Sequence, residues 1–188
     1  MKYDVVIIGA GPAGYVAAIR AGQVGLKTAL IEKKHIGGMC LNWGCIPTKA
    51  LIESGKMFSR IRNASEFGIE GIDKNKLKFN WDKAKSRAIK IVGKLKGGID
   101  YLLKKNGIDV IEGEATIRDE HTVTVNNRTI ECGNIIIATG SYPAELKGKI
   151  DNKFIIQLDK LFELPDLPKN LVVYGKGPFA VELAQFFH

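Results

Sequence analysis

The sequence predicts an α/β fold, in which helices cover a parallel sheet and an antiparallel β-meander extends that sheet. Two observations predict this class. Short β-branched runs at 3–8 and 28–32 flank a helical segment at 12–24, which is typical of a βαβ unit with parallel strands. Later, alternating apolar and polar residues on both sides of Asn126 and Asn127 predict antiparallel strands joined by a tight turn.

Between these regions the spacing of apolar residues predicts two more helices, at 47–62 and 81–105. Apolar side chains in the second helix recur every three or four positions, which predicts one buried stripe. The members of that stripe are Trp81, Ala84, Ala88, Ile91, Leu95, Ile99 and Leu102.

The remaining strands are predicted from alternation and from β-branched runs. They lie at 109–117, 121–125 and 128–131, followed by a strand at 135–138 that is buried on both faces. The opening pattern then recurs. A strand at 171–174, a glycine turn at 175–180 and the start of a helix at 181–184 predict a second βαβ unit that is cut off, so we expect the chain to be a fragment of a longer protein.

Composition and charge exclude several classes of function. The 188 residues are 45% hydrophobic and carry a net charge of +8, with eleven Lys or Arg residues between positions 74 and 105. Those basic residues alternate with helical apolar positions and lack an aromatic platform, which favours a solvated helix face over nucleic-acid binding. Without a membrane-spanning run or a signal peptide, the sequence predicts a soluble cytoplasmic protein.

The first glycine turn, at 9–14, reads Gly-Ala-Gly-Pro-Ala-Gly and stands between a predicted strand and a predicted helix. Gly9 permits the tight turn, Gly11 lets the backbone approach a pyrophosphate, and Gly14 lets the helix pack closely on the strand. Glu32 ends the next strand, where a carboxylate can accept hydrogen bonds from ribose hydroxyls. This Rossmann-like pattern predicts a dinucleotide site and does not distinguish FAD from NAD.

The second signal is a pair of cysteines, Cys40 and Cys45. In a regular helix residues five apart rise about 7.5 Å, which exceeds the usual Cα separation of a disulfide, about 4.4 to 6.8 Å. A bond between them therefore needs an irregular turn, which Gly37, Gly38 and Gly44 can supply. Because closing so short a loop adds little stability, the pair favours a redox role.

Lys49 follows Cys45 by four residues, and its ammonium would favour a cysteine thiolate. A metal site made of His35 and both cysteines is the alternative, and it lacks a fourth ligand at a suitable spacing. We therefore expect no metal site, an exposed loop position for His35 and an inert thiol at Cys132.

Residues 37–51 resemble the redox segment of the class I pyridine nucleotide-disulfide oxidoreductases. The matching pattern is Gly37-Gly38-x-Cys40-Leu41-Asn42-x-Gly44-Cys45-Ile46-Pro47-x-Lys49-Ala50-Leu51. Within that family it is most similar to the dihydrolipoamide dehydrogenase branch. The resemblance covers the whole chain, and the order of its motifs is more specific than any single motif.

The resemblance implies three parts: an FAD-binding domain with the redox disulfide at 1–145, a connector at 146–169, and the start of a Rossmann-like NAD-binding domain at 170–188. It also implies a catalytic His near the C-terminus of the full-length protein, outside these residues. We therefore expect this chain to bind FAD without full turnover.

The resemblance also implies roles for single residues. Cys40 would be the interchange thiol that meets the substrate, Cys45 the charge-transfer thiol against the flavin, and Lys49 a neighbour of the reactive flavin nitrogen, paired with Glu182. The residues implied at FAD are Gly9, Gly11, Pro12, Ala13, Gly14, Glu32, Lys33, Gly38, Met39, Cys40, Lys49, Ala115, Ala138, Thr139 and Gly140. Those implied at NAD are Gly175, Gly177 and Ala180.

Four positions depart from the family pattern. Met39 stands where a Thr commonly helps to hold the FAD phosphates, and Trp43 replaces a smaller residue beside the flavin. Lys176 and Pro178 occupy positions that usually carry other residue types in the NAD turn. These departures affect the expected FAD affinity and cofactor gating more than the assignment to the family.

The implied activity of the full-length protein is oxidation of dihydrolipoamide by NAD through FAD and the disulfide. The implied partners are a lipoyl domain as substrate, a second copy in a homodimer, and a 2-oxo acid dehydrogenase complex, with no nucleic acid and no membrane. Two alternatives stay open. One is a flavin reductase of another disulfide, such as glutathione or coenzyme A disulfide, and the other is a nucleotide-binding module with idle cysteines.

Overall fold

The chain forms two compact units. The computed structural model describes residues 2–142, 150–151 and 153–188. One unit consists of residues 1–42 and 93–147, and the other of 43–92 and 148–188. The boundary predicted between residues 145 and 146 lies outside the described residues, and the three-part division stays a prediction.

The first unit contains a six-stranded sheet in the order β3-β2-β1-β6-β5-β4. Its strands are β1 Lys2–Ile8, β2 Thr28–Glu32, β3 Asp109–Glu112, β4 Ala115–Asp119, β5 Thr122–Val125 and β6 Arg128–Ile137. Strands β3, β2, β1 and β6 are parallel, whereas β5 pairs antiparallel with both β6 and β4. The predicted α/β fold, a parallel sheet extended by an antiparallel meander, is therefore confirmed.

Five helices accompany these strands in the described part of the chain. They are α1 Pro12–Gln23, α2 Gly38–Asn42, α3 Cys45–Arg62, α4 Trp81–Lys105 and α5 Pro178–Phe187. Short 3₁₀ helices lie at Ala64–Phe67, Lys74–Lys76 and Leu158–Glu163. The three long helices predicted from the sequence are confirmed to within two residues at each end. No helix of the described chain combines the length and apolar character needed to cross a membrane.

The core of the first unit surrounds β1, which has a parallel neighbour on each side. Val6 lies opposite Ala29 on β2 and Ile135 on β6, and it is fully buried. Apolar side chains from both the parallel and the antiparallel strands complete this core: Tyr3, Ile8, Ile31, Val123, Val125, Ile130 and Cys132. The sheet thereby fixes the end of β1, from which the first glycine turn leaves.

The core of the second unit fixes helix α3. Ala50 and Leu51 of α3 pack in one cluster with Trp81, Ala84, Ala88 and Leu161. The Trp81 indole Nε1 donates a hydrogen bond to the Leu164 carbonyl at 2.9 Å, so its buried polar atom is satisfied. Helix α5 packs on the same cluster through Phe186 and Phe187.

Two strand predictions need correction. The stretch at 109–117 is two strands, because Gly113 has a φ of 149° and turns the chain. Residues before it pair with β2 and residues after it pair with β5. The strands predicted at 128–131 and 135–138 are one strand, β6, because β1 pairs with it continuously from Glu131 to Ile137.

The predicted strand at 171–174 is wrong. These residues form no strand in the structure, and Val172 and Tyr174 are 91% and 84% exposed. A strand exists only where neighbouring strands accept its hydrogen bonds, and none of the described residues does so here.

Burial was also overestimated at several positions. Ile136 and Ile137 are 40% and 66% exposed, because no layer of the described chain covers that end of β6. Leu95 and Leu102 of α4 are exposed as well, since the C-terminal half of this helix buries Ile99 and Leu103 instead.

Candidate functional site

The first glycine turn forms where β1 ends. Gly9 has a φ of 99°, and its N–H donates to the Ile31 carbonyl at 2.8 Å. The Ala138 N–H donates to the Ile8 carbonyl at 2.8 Å, which brings the end of β6 beside the turn. A Cβ on Gly9 would lie 2.3 Å from the Ala138 oxygen. Only glycine fits at this position.

Close packing around the turn leaves one face open. A Cβ on Gly14 would lie 1.7 Å from the Gly9 oxygen, and one on Gly38 would lie 2.7 Å from the Gly11 Cα. In contrast, a Cβ on Gly11 would meet nothing nearer than the Gly38 Cα at 3.9 Å. Among the described residues, Gly11 thus borders open space at the start of α1, where Pro12 is the first helical residue and no side chain caps the helix. A pyrophosphate fits such a cradle, because backbone N–H groups and the helix dipole attract anions.

Glu32 holds the turn from the neighbouring strand. Its Oε2 accepts a hydrogen bond from the Ala10 N–H at 2.7 Å, and its Oε1 accepts from the N–H groups of Lys34 and His35 at 2.9 and 3.1 Å. Burial raises the pKa of this carboxyl, but the backbone hydrogen bonds outweigh burial and the net pKa is lowered. Glu32 is therefore a carboxylate that clamps the turn, a role the sequence pattern did not predict. Its remaining lone pairs can still accept from a ribose.

An ion pair links Lys33 to Glu114, the residue before Ala115. Lys33 Nζ makes an ion pair of 2.7 Å with Oε1 of Glu114, which holds the pKa of Lys33 above its ordinary value. Glu114 precedes the half-buried Ala115, which packs on the sheet core. Both side chains of the ion pair are exposed, so this edge can meet a polar ligand.

The cysteine segment is an interrupted helix. Gly37 and Gly38 have φ values of 93° and 61°, and α2 then carries Met39 and the half-buried Cys40. The chain leaves helical geometry after Asn42 and re-enters it at Cys45, which is the first residue of α3 and also half-buried. The predicted irregular turn between the two cysteines is confirmed, whereas the disulfide itself stays a prediction.

The structure places the predicted Lys49 and Glu182 together in the second unit. The distance from Lys49 Nζ to Glu182 Oε1 is 2.6 Å. The Glu182 side chain is 25% exposed, and its Oε2 atom is buried with no hydrogen-bond partner among the described residues. The ion pair joins α3, one turn beyond Cys45, to α5 of the same unit.

The second glycine turn precedes α5. Gly175 has a φ of 149°, and a Cβ on it would contact the Ala180 Cβ at 3.4 Å. The Gly177 carbonyl accepts from the Ala180 N–H at 3.0 Å, and Pro178 begins the helix. The three residues predicted for NAD therefore share one turn at a helix N-terminus.

Thr48 is a residue that the sequence argument missed. It is fully buried in α3, three residues after Cys45, and its Oγ1 has no hydrogen-bond partner in the described part of the chain. The signal available in the sequence was a hydroxyl residue three positions after Cys45.

No group of three or more His, Cys, Asp or Glu side chains in the described residues is close enough to hold a metal ion.

Comparison with known proteins agrees with this arrangement. The profile of the pyridine nucleotide-disulphide oxidoreductases matches residues 3–188, so the chain belongs to this family. The dihydrolipoyl dehydrogenases of Acholeplasma laidlawii and Mycoplasma genitalium are 38% and 42% identical over the whole chain. The chain spans 56% and 42% of those proteins, respectively.

A solved structure gives the same result at the level of the fold. It is the HOCl-induced flavoprotein disulfide reductase RclA from Escherichia coli, with a TM-score of 0.82 and 29% identity. The match covers 98% of this chain and 39% of that protein. The chain is thus similar to one part of a larger flavoprotein.

Proposed function

We propose that the full-length protein oxidises dihydrolipoamide to lipoamide and reduces NAD, with FAD and the Cys40–Cys45 disulfide between the two substrates. The observation that carries the proposal is the Lys49–Glu182 ion pair of 2.6 Å. It sets a cation one helical turn beyond Cys45 and ties that turn to the helix of the second glycine turn. The substrate is proposed from the similarity to dihydrolipoyl dehydrogenases.

The cradle of the first unit supports FAD as the first cofactor. Gly9, Gly11 and Gly14 would admit its pyrophosphate, Glu32 would accept from its ribose, and Gly38 lies against Gly11 on the same side. Lys33, Met39, Ala115 and the segment Ala138, Thr139 and Gly140 complete the proposed contacts. When bound, FAD supplies a two-electron acceptor that can pass a hydride to NAD.

The chain's own sulfurs carry out the first exchange. A thiolate of dihydrolipoamide attacks Cys40 Sγ and breaks the Cys40–Cys45 bond, and the electron pair of that bond stays on Cys45 as a thiolate. The second substrate thiol loses its proton and attacks the mixed disulfide, which closes lipoamide and releases the Cys40 thiolate. Two electrons pass from the substrate to the protein, and two protons are released.

One cationic side chain supports this exchange, and the second glycine turn would serve the transfer to NAD. The Lys49 ammonium, held by Glu182, adds positive charge near the start of α3 and favours a thiolate at Cys45. The second turn, with Gly175, Gly177 and Ala180, would take the NAD pyrophosphate at the start of α5.

The absorption spectrum tests the redox assignment. The full-length protein is expected to be yellow, and one equivalent of dithiol is expected to produce a long-wavelength band from the Cys45 thiolate against the flavin. Cys45→Ser should abolish the band and Cys40→Ser should keep it. A colourless protein without the band would favour a nucleotide-binding module with idle cysteines. A band unaffected by Cys45→Ser would reject Cys45 as the charge-transfer thiol.

Turnover tests the substrate. NAD reduction by the full-length protein should be at least tenfold faster with dihydrolipoamide than with glutathione or coenzyme A as the thiol. The opposite preference would reassign the substrate without changing the redox site. A lipoyl domain as donor, a homodimer, a 2-oxo acid dehydrogenase complex and a cytoplasmic location belong to the same proposal.

A further inference from the structure

Thr48 carries a buried hydroxyl that no described residue pairs with. The residue is fully buried, and Oγ1 has no hydrogen-bond partner among the described residues. Buried hydroxyl groups are almost always paired, and the exceptions concentrate where a functional partner is absent. Cys45 of the same helix is a free cysteine in this structure, and Thr48 Oγ1 makes no hydrogen bond to it or to any other described atom. The Thr48 hydroxyl is therefore available for a stronger acceptor than a neutral thiol.

Ser54, in the same helix, makes the side-chain hydrogen bond to the preceding turn that Thr48 lacks. Ser54 Oγ donates to the Ala50 carbonyl four residues earlier at 3.1 Å, the usual arrangement in a helix. The equivalent acceptor for Thr48 is the Gly44 carbonyl, which accepts the Thr48 N–H at 3.1 Å. The Thr48 hydroxyl does not use it.

Helix geometry makes Cys45 a neighbour of Thr48. Cys45 and Thr48 are three residues apart in α3, so their side chains are neighbours on one face, with Cβ atoms about 5 to 6 Å apart. Cys45 is the first residue of the helix, and its N-cap, Gly44, offers no side-chain hydrogen bond. The sulfur of a neutral thiol or of a disulfide is a weak acceptor, whereas a thiolate at the same place is a strong one.

We propose that the Thr48 hydroxyl donates a hydrogen bond to the Cys45 thiolate that reduction of the Cys40–Cys45 bond releases. The inference rests on the proposed function, because it requires these cysteines to cycle. A rotation about χ1 redirects Oγ1, and threonine in helices populates two such rotamers. Thr48 thus holds the negative charge in place between the arrival of electrons and their transfer.

The test measures the thiolate directly, without turnover. In the full-length protein carrying Cys40→Ser, the rate of Cys45 alkylation by iodoacetamide is followed against pH by peptide mass spectrometry. Thr48→Val, which keeps the shape and removes the hydroxyl, should move the profile to higher pH and slow alkylation about tenfold below its midpoint. Thr48→Ser should keep the original profile. Ser54→Ala is the matched control in the same helix and should also leave it unchanged.

Three results would overturn the inference. An alkylation profile of Thr48→Val that equals the parent profile would reject the hydrogen bond. Equal shifts in Thr48→Val and Thr48→Ser would assign the effect to packing. If Thr48→Val does not fold, Thr48→Ala takes its place, and an unshifted profile there has the same meaning. Failure of the proposed function is seen separately, as a missing flavin spectrum or long-wavelength band in the parent protein, whatever the alkylation profiles show.

Discussion

The two glycine turns have similar sequences and different surroundings. The first follows β1, which pairs with strands on both sides and is buried. The second follows residues 171–174, which pair with no described strand and are largely exposed. In both, a glycine with positive φ is followed by a helix that begins at a proline. Such a turn and its helix therefore form locally, whereas the strand before the turn depends on neighbouring strands.

The largest expected effect is at Gly14 of the first turn. Gly14→Val places a Cβ 1.7 Å from the Gly9 oxygen, so helix and strand must separate. We expect the free energy of unfolding to fall by about 3 kcal/mol or more, measured by urea denaturation. Gly177→Ala, at the position of the second turn that corresponds to Gly11, is the comparison. Its Cβ meets no described atom within 4 Å, and we expect a loss of about 1 kcal/mol or less. Equal losses would contradict the close packing of Gly14 on Gly9.

The next effect concerns the clamp on the first turn. Glu32→Gln replaces a carboxylate that accepts backbone N–H hydrogen bonds from Ala10, Lys34 and His35. We expect a loss of about 1 to 3 kcal/mol at neutral pH, again from denaturation curves.

The pH dependence of that loss has a definite sign. Because the folded-state pKa of Glu32 is lowered, its stabilisation is present above the unfolded value and is lost as the pH falls through the folded value. The difference between the protein and Glu32→Gln should therefore shrink in acid. Glu114→Gln, at an exposed ion pair, serves as the control and should change stability little at any pH. A Glu32→Gln difference that grows in acid would reject the clamp.

The ion pair beside the second turn should matter more for catalysis than for stability. Lys49 is 57% exposed, so we expect Lys49→Met to cost about 1 kcal/mol or less in unfolding free energy. Dihydrolipoamide-dependent NAD reduction by the full-length protein should fall by more than about tenfold, because the charge beside Cys45 is lost. Lys160→Met, at the exposed ion pair of Lys160 with Glu163, is the control and should leave turnover unchanged. Unchanged turnover in Lys49→Met would remove this charge from the proposal.

Local sequence signals predicted what depends on local structure. The bounds of α4 follow from apolar spacing, and the turns at Gly9, Gly38 and Asn126 follow from residues that tolerate positive φ. The errors lie where distant parts of the chain decide. The hydroxyl of Thr48 is buried by tertiary packing, which its neighbours in sequence do not specify.

The smallest expected effect tests the segment before the second turn. Val172 is 91% exposed, so Val172→Thr should change the unfolding free energy of the 188-residue chain by about 0.5 kcal/mol or less. Val6, its counterpart before the first turn, is fully buried, and Val6→Thr introduces a hydroxyl into the core of the sheet, with an expected loss of about 1 to 3 kcal/mol. Urea denaturation of both variants in parallel measures the two changes in unfolding free energy. If Val172→Thr were as costly as Val6→Thr, residues 171–174 would be a packed strand after all, and the difference between the two turns would disappear.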